Sequence, residues 1–91
     1  MIHVEGKNKG KVMLYALSTC IWCKKTKKLL QELGVMYDYE DVDLLEGEEE
    51  ETIMNEIKKF IESPSFPLIV INKKRVIRGF DEKEIMKELG R

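Results

Sequence analysis

Cys20 and Cys23 are the only cysteines of the chain, and they stand three positions apart in the stretch STCIWCKKTKKLL, residues 18 to 30. This spacing suits three arrangements: a dithiol that cycles through a disulfide, half of a metal site, or two small side chains packed in a core. A packed core has no need of such spacing at the start of a helix. Inert buried thiols are therefore the poorest of the three interpretations.

A metal site is difficult to complete from this sequence. Structural zinc normally takes four Cys or His ligands, whereas the chain offers two cysteines and a single histidine, His3. We therefore expect no metal site within one chain. Two alternatives stay open: an iron–sulfur or metal carrier that dimerises through Cys20, and an adaptor in which the pair is redox-inert.

The position of the pair favours a redox dithiol. A strand-like run ends just before Cys20 and a helix-like run follows, so its sulfur should lie near unpaired backbone N–H groups that stabilise a thiolate. Cys23 would lie one turn deeper, within reach of a mixed disulfide formed on Cys20. Cys20 would then attack and Cys23 would resolve, with water or Lys24 transferring the proton at Cys23. Lys24 and Lys25 add positive potential that salt screens.

Hydrophobic periodicity predicts the elements that hold this pair. They are a buried central strand at 11–17, a helix from Trp22 to Leu33 ended by Gly34, a strand at 35–43, a helix at 48–62, two hairpin strands at 66–72 and 75–80, and a helix at 81–90 that buries Ile85, Met86 and Leu89. The order βαβαββα predicts an α/β fold with a four-stranded mixed sheet and helices on both faces.

Length and composition limit the function classes. Ninety-one residues suggest a single domain, 1–91 with its core at 11–90, and the net charge of −1 gives no indication of nucleic-acid binding. No run approaches the roughly 18 to 20 apolar residues that span a bilayer. We expect a cytoplasmic monomer that binds neither nucleic acid nor membrane. In that reducing compartment a close cysteine pair is more often catalytic, redox-active or metal-binding than a structural staple.

Three motifs in this order resemble the glutaredoxins of the thioredoxin-fold family: TCIWCKK at 19–25, SFP at 65–67 and RGFDE at 78–82. The resemblance implies a thioredoxin-like fold and a thiol–disulfide oxidoreductase that reduces protein disulfides through a redox-active Cys20–Cys23 disulfide, with no other tightly bound cofactor. It also implies that the Phe66–Pro67 bond is cis and faces the cysteines. The alternative is a trans proline that opens an edge strand.

The same resemblance implies which residues surround the reactive sulfur. Substrate would contact Trp22, Lys24, Phe66, Pro67, Gly79, Phe80 and Asp81. Trp22 fits this role and a place in the core stripe of its helix equally well. Asp81 could cap the last helix, in a capping box with Glu84, and also meet a ligand amine.

The electron donor is where the chain departs from the family pattern. Glutaredoxins usually carry a lysine three positions before the first cysteine, where it meets a glutathione carboxylate, and this chain has Leu17. We therefore expect poor activity with glutathione, and glutathione-dependent deglutathionylation stays open as an alternative function. The chain also shares its small size with the glutaredoxin-like hydrogen donors of ribonucleotide reductase. The candidate donors are a thioredoxin-reductase-type enzyme, a ferredoxin-linked reductase and glutathione.

Overall fold

A central strand, Val12–Ala16, is buried along its whole length in the computed structural model. The apolar run at 11–17 predicts this strand. The structure describes residues 1–90, and the last residue of the predicted domain, 91, lies outside them. The elements in chain order are β1 Ile2–Val4, β2 Val12–Ala16, α1 Ile21–Leu33, β3 Tyr37–Asp41, a short 3-10 helix Val42–Leu44, α2 Gly47–Lys58, β4 Leu68–Ile71, β5 Arg75–Arg78 and α3 Glu82–Leu89.

The strands form one mixed sheet in the order β1-β3-β2-β4-β5. β2 and β3 are parallel and joined by α1, while the other three neighbouring pairs are antiparallel. β2 is therefore the central strand, as predicted. The carboxyl end of this strand leads directly into the cysteine pair, which places the pair at the edge of the sheet where β2 and β3 end.

Helices cover both faces of the sheet, which confirms the predicted α/β class. On one face, α1 and α3 bury Leu29, Leu30, Ile85 and Leu89 against alternate strand residues, and Cys23 belongs to this cluster. On the other face, α2 and the turn after it bury Ile57 and Ile61. Alternation along β2 explains the division, because successive side chains of a strand point to opposite faces. None of the helices within residues 1–90 is long and apolar enough to cross a lipid bilayer.

The prediction of four strands is wrong by one, because β1 adds an antiparallel edge next to β3. β1 has three residues and only its last side chain, Val4, is partly buried. Such a short exposed strand leaves almost no hydrophobic period in the sequence. Its partner holds it instead: the His3 side chain contacts Asp38 Oδ1 at 2.6 Å. Gly6 follows in close contact with the segment between α1 and β3, where an added Cβ would lie 2.5 Å from the backbone of Val35.

The ends of the elements follow their local chemistry. Gly34 takes the left-handed conformation, with φ 69°, and ends α1 as predicted. Asn72 and Lys73, with φ of 54° and 58°, are the central residues of the hairpin turn, which the Lys74 N–H closes by donating to the Ile71 carbonyl at 3.0 Å.

The prediction of a buried Met86 is wrong, since its side chain is 43% exposed. Ile85 and Leu89 share the inward face of the short α3, and the position after Ile85 is rotated toward solvent.

Candidate active site

Cys20 is the N-cap residue of α1. Its extended backbone, φ −82° and ψ 120°, turns the chain from β2 into the helix, and Lys24 N–H donates to its carbonyl at 3.1 Å. The backbone N–H of Cys23 donates to Cys20 Sγ at 3.2 Å. A sulfur thus takes the place that a serine or aspartate oxygen usually occupies in a helix cap.

This position lowers the pKa of the Cys20 thiol. Burial acts to raise that pKa, but hydrogen bonds from the Cys23 thiol and from the backbone N–H groups of Cys23 and Trp22 outweigh it. Cys20 is partly exposed. It therefore combines accessibility with a stabilised thiolate, which are the two properties of an attacking cysteine.

Cys23 has the opposite character. Its side chain is fully buried, and the backbone N–H of Leu17 donates to its sulfur at 3.4 Å. Burial, followed by its hydrogen bond to Cys20, raises the pKa of Cys23 to about 12. Cys20 is therefore the thiol of the pair that ionises first, while the proton is retained on Cys23. The sequence predicts this division of roles from the order of the two cysteines along the helix.

An aromatic pair near the cysteines joins α1 to the segment between β5 and α3. Trp22 stacks on Phe80 with 5.8 Å between ring centroids, and the Lys25 ammonium lies 4.5 Å from the centroid of Trp22. The Trp22 side chain is 51% exposed and that of Ile21 is 62% exposed. Of the two roles that the sequence leaves open for Trp22, the structure places it on the surface beside Cys20 rather than in the core. Lys24 is exposed, and Lys25 is the lysine that contacts the tryptophan.

The Phe66–Pro67 peptide bond is cis, as the resemblance implies. Phe66 and Phe80 are partly buried against the same core cluster as Cys20, and Gly79 N–H donates to the Pro67 carbonyl at 2.8 Å. Gly79 has φ 72°, in the left-handed region that favours glycine. This hydrogen bond joins two of the three sequence motifs directly.

Asp81 caps α3, because its carboxylate accepts a hydrogen bond from Glu84 N–H at 3.1 Å. The carboxylate is on an exposed residue, so capping leaves part of it accessible. The Glu84 side chain pairs instead with Arg75. The reciprocal half of the predicted capping box is therefore replaced by an ion pair to β5.

Two polar contacts near the cysteines involve residues that sequence reasoning missed. Asp43 accepts hydrogen bonds from Ser18, in the loop between β2 and α1, and Lys27 Nζ lies 2.9 Å from Asp41 Oδ1. Both acids come from the end of β3 and the 3-10 helix after it. Only the position of Lys27, four residues after Cys23, could have drawn attention in the sequence.

The site is open rather than enclosed. Two surface cavities, of about 370 and 320 Å³, contain neither cysteine among their lining residues. The first lies along β1 and β3, and the second is lined by residues of β2 and the end of α2. Cys20 is itself partly exposed, and the two residues that follow it, Ile21 and Trp22, expose large side chains.

Comparisons with known proteins agree with this geometry. The glutaredoxin family model matches residues 12–76. The chain belongs to the glutaredoxin family. A glutaredoxin-like 8.6 kDa protein in the rubredoxin operon of Clostridium pasteurianum is 33% identical over 76 residues, 84% of this chain and 93% of that protein.

Solved glutaredoxin structures from archaea share the whole fold. The glutaredoxin of Methanosarcina mazei is 56% identical with a TM-score of 0.91, over 99% of this chain and 87% of that one. The methanoredoxin of Methanosarcina acetivorans is 49% identical with a TM-score of 0.90, over 94% and 90%. The glutaredoxin of Archaeoglobus fulgidus is 30% identical with a TM-score of 0.79, over 88% and 86%. As a glutaredoxin with its cysteine pair in place, the chain has the site of a thiol oxidoreductase.

Proposed function

We propose that this glutaredoxin reduces protein disulfides by a dithiol mechanism in the cytoplasm, as a monomer whose redox cofactor is its own Cys20–Cys23 pair. The observation that carries the proposal is the asymmetry of the two thiols. Cys20 is partly exposed with a lowered pKa, whereas Cys23 is buried with a pKa raised to about 12. Cys20 therefore makes the first attack on the substrate, and Cys23 reacts only in the second step.

The reaction then has two exchange steps. The Cys20 thiolate attacks one sulfur of the substrate disulfide, the substrate S–S bond breaks, and the released substrate thiolate takes a proton. The Cys23 thiol then loses its proton to solvent, and its sulfur attacks Cys20 Sγ. A Cys20–Cys23 bond forms, and the second substrate sulfur leaves as a thiolate. Two electrons pass from the dithiol to the substrate, and a donor must restore the reduced pair.

The surroundings of Cys20 support a polypeptide substrate. Ile21 and Trp22 expose large apolar surfaces beside the sulfur, and Phe66 and Phe80 contribute partly buried rings. Apolar and aromatic groups around an open site suit the contact of one protein chain with another. Lys24, Gly79 and Asp81 provide polar groups at the margin of this surface.

Variants of the two cysteines test the proposal. With a disulfide-containing protein substrate and no added thiol, Cys20→Ser should abolish reduction, whereas Cys23→Ser should accumulate a covalent protein–substrate complex that dithiothreitol releases. Mass spectrometry of the trapped complex identifies Cys20 as the linked residue. Full turnover by Cys23→Ser without added thiol would show that the dithiol mechanism is wrong.

The donor is identified by coupled assays. Reduction of the Cys20–Cys23 disulfide is followed with glutathione and its reductase, with a thioredoxin-reductase-type enzyme and with a ferredoxin-linked reductase. The Clostridium relative is named for a rubredoxin operon, which supports including an electron-transfer chain of that kind. Visible absorbance of aerobically purified protein together with a dimer would instead favour a metal or iron–sulfur carrier.

A further inference from the structure

A partly buried ion pair lies one helical turn from the buried cysteine. Lys27 Nζ is 2.9 Å from Asp41 Oδ1, and the two side chains are only 20% and 16% exposed. Cys23 and Lys27 are four residues apart in α1, which puts both on one face of the helix, one turn apart. Asp41 pairs with Ala16 in the sheet, next to the Leu17 N–H that donates to Cys23 Sγ. The ion pair and the sulfur thus share one corner of the fold.

The lysine is held firmly in this position. Its ammonium is 4.1 Å from the centroid of the Tyr39 ring in addition to its contact with Asp41. An exposed lysine contributes little electrostatic potential, in part because its side chain moves freely. The contacts with Asp41 and Tyr39 limit that movement in Lys27. In a partly buried environment, a held positive charge favours an anion nearby more than it would in water. Consistently, Lys27 acts to lower the pKa of Cys23 against burial, which raises it.

Within residues 1–90, Cys20 and Lys27 are the titratable side chains that act on the Cys23 thiol. Asp41 enters the same corner from β3 through its pair with Lys27. Asp43 lies in the following 3-10 helix with its carboxylate bound to Ser18. Cys23 belongs to an apolar core cluster, and the other members of that cluster include Leu14 and Ala16 from β2, Ile69 from β4, Ile77 from β5, and Ile85 and Leu89 from α3.

We propose that Lys27, held by Asp41, is a positioning residue for the second exchange step, in which its charge favours the Cys23 thiolate that attacks the mixed disulfide. This inference rests on the proposed dithiol mechanism. Lys27 forms no bond with substrate and accepts no proton. It lowers the free energy of the anion that must form while the Cys23 proton leaves to solvent, and it has no corresponding effect on the first attack by Cys20.

Single-turnover kinetics can separate the two steps. Mixing the reduced protein with Ellman's reagent releases one nitrothiobenzoate when Cys20 attacks and a second when Cys23 resolves, so the two phases report on the two thiolates. Lys27→Gln, which keeps a hydrogen-bonding group for Asp41 but loses the charge, should slow the second phase about three- to tenfold between pH 6 and 8. The first phase should stay within about twofold, because the role assigned to Lys27 does not include the attack by Cys20.

The companion variants distinguish charge from packing. Lys27→Arg should restore the second phase, and Asp41→Asn, which keeps an acceptor for the ammonium but removes the opposing charge, should accelerate it. Lys28→Met, at an exposed position of the same helix, is the matched control and should change neither phase. If Lys27→Gln unfolds the protein in thermal scans, the other two variants still decide the outcome. Lys27→Arg should leave the rate of the second phase near the native value, and Asp41→Asn should raise it.

Two results would overturn the inference. One is an unchanged second phase in folded Lys27→Gln, and the other is a slower second phase in both Lys27→Gln and Asp41→Asn, which indicates a purely structural pair. Either result would contradict the role of Lys27 without contradicting the dithiol mechanism. By contrast, a native protein with no second phase at all, indistinguishable from Cys23→Ser, would contradict the proposed function itself.

Discussion

The carboxylate of Asp43 accepts two hydrogen bonds from Ser18, one from the backbone N–H at 2.8 Å and one from the hydroxyl at 2.6 Å. Ser18 stands between Leu17, whose N–H donates to Cys23, and the N-cap Cys20. The acid thus holds the loop that sets both sulfurs relative to the helix. These hydrogen bonds also lower the pKa of Asp43.

Asp43→Ala should release this loop. We expect the rate of Cys20 alkylation at pH 7 to fall roughly two- to fivefold through looser positioning of the cap, while Glu48→Ala, another exposed acid, serves as the control and changes nothing. Because the folded pKa of Asp43 is lowered, its contribution is present above the ordinary carboxyl pKa and is lost as the pH falls through the folded value. Alkylation at equal thiolate fraction is the measurement, and equal rates in both variants would contradict the role.

The hydrogen bonds to Cys20 predict how its titration responds to Cys23. The pH midpoint of Cys20 alkylation should lie below that of a free cysteine. Cys23→Ala removes the thiol donor but keeps the backbone N–H donors, so the midpoint should rise while staying below the ordinary value. Cys23→Ser keeps a hydroxyl donor and should move the midpoint less. A midpoint that is the same in all three proteins would show that the helix terminus alone stabilises the thiolate.

Local periodicity explains what the sequence could predict of the fold. β2, α1 and its Gly34 stop, the hairpin and α3 each carry their pattern within a single element, and each forms as predicted. β1 does not, since Ile2 and Val4 are its only apolar residues and the strand depends on pairing with β3. The exposure of Met86 likewise depends on what surrounds α3, which a helical period cannot specify.

The candidate site also has a part that the sequence could predict and a part that it could not. The N-cap position of Cys20 and the depth of Cys23 follow from three residues of spacing and the start of one helix. The contacts of Asp43 with Ser18 and of Asp41 with Lys27 join residues 25 and 14 positions apart. Apart from the position of Lys27 after Cys23, no local pattern marks these contacts, because they arise only when the fold brings the end of β3 beside α1 and the loop before it.

The stacking of Trp22 on Phe80 predicts that a change at Trp22 affects the rate with protein disulfides more than the rate with small disulfides. Trp22→Ala removes an exposed aromatic surface and unstacks Phe80, so kcat/KM for a protein disulfide should fall roughly five- to twentyfold. The rate with a small disulfide such as Ellman's reagent should change little, because Cys20 is untouched. Met86→Ala, at an exposed apolar residue of α3 that is not a member of the stacked pair, is the matched control. Equal losses with both substrates would mean that Trp22 supports the thiol rather than the partner.

A substitution at Leu17 can test whether the missing lysine determines the use of glutathione as electron donor. Its backbone N–H already serves Cys23, so a new side chain at this position leaves that hydrogen bond available. Leu17→Lys places a cation where glutaredoxins usually meet a glutathione carboxylate, and it should lower the KM for glutathione roughly tenfold in the coupled assay with glutathione reductase. Leu17→Gln, polar but uncharged, should give a much smaller gain. Since Leu17 is half-buried, thermal scans confirm that both variants fold. Efficient turnover of the native protein with glutathione would show that the missing lysine does not govern the choice of donor.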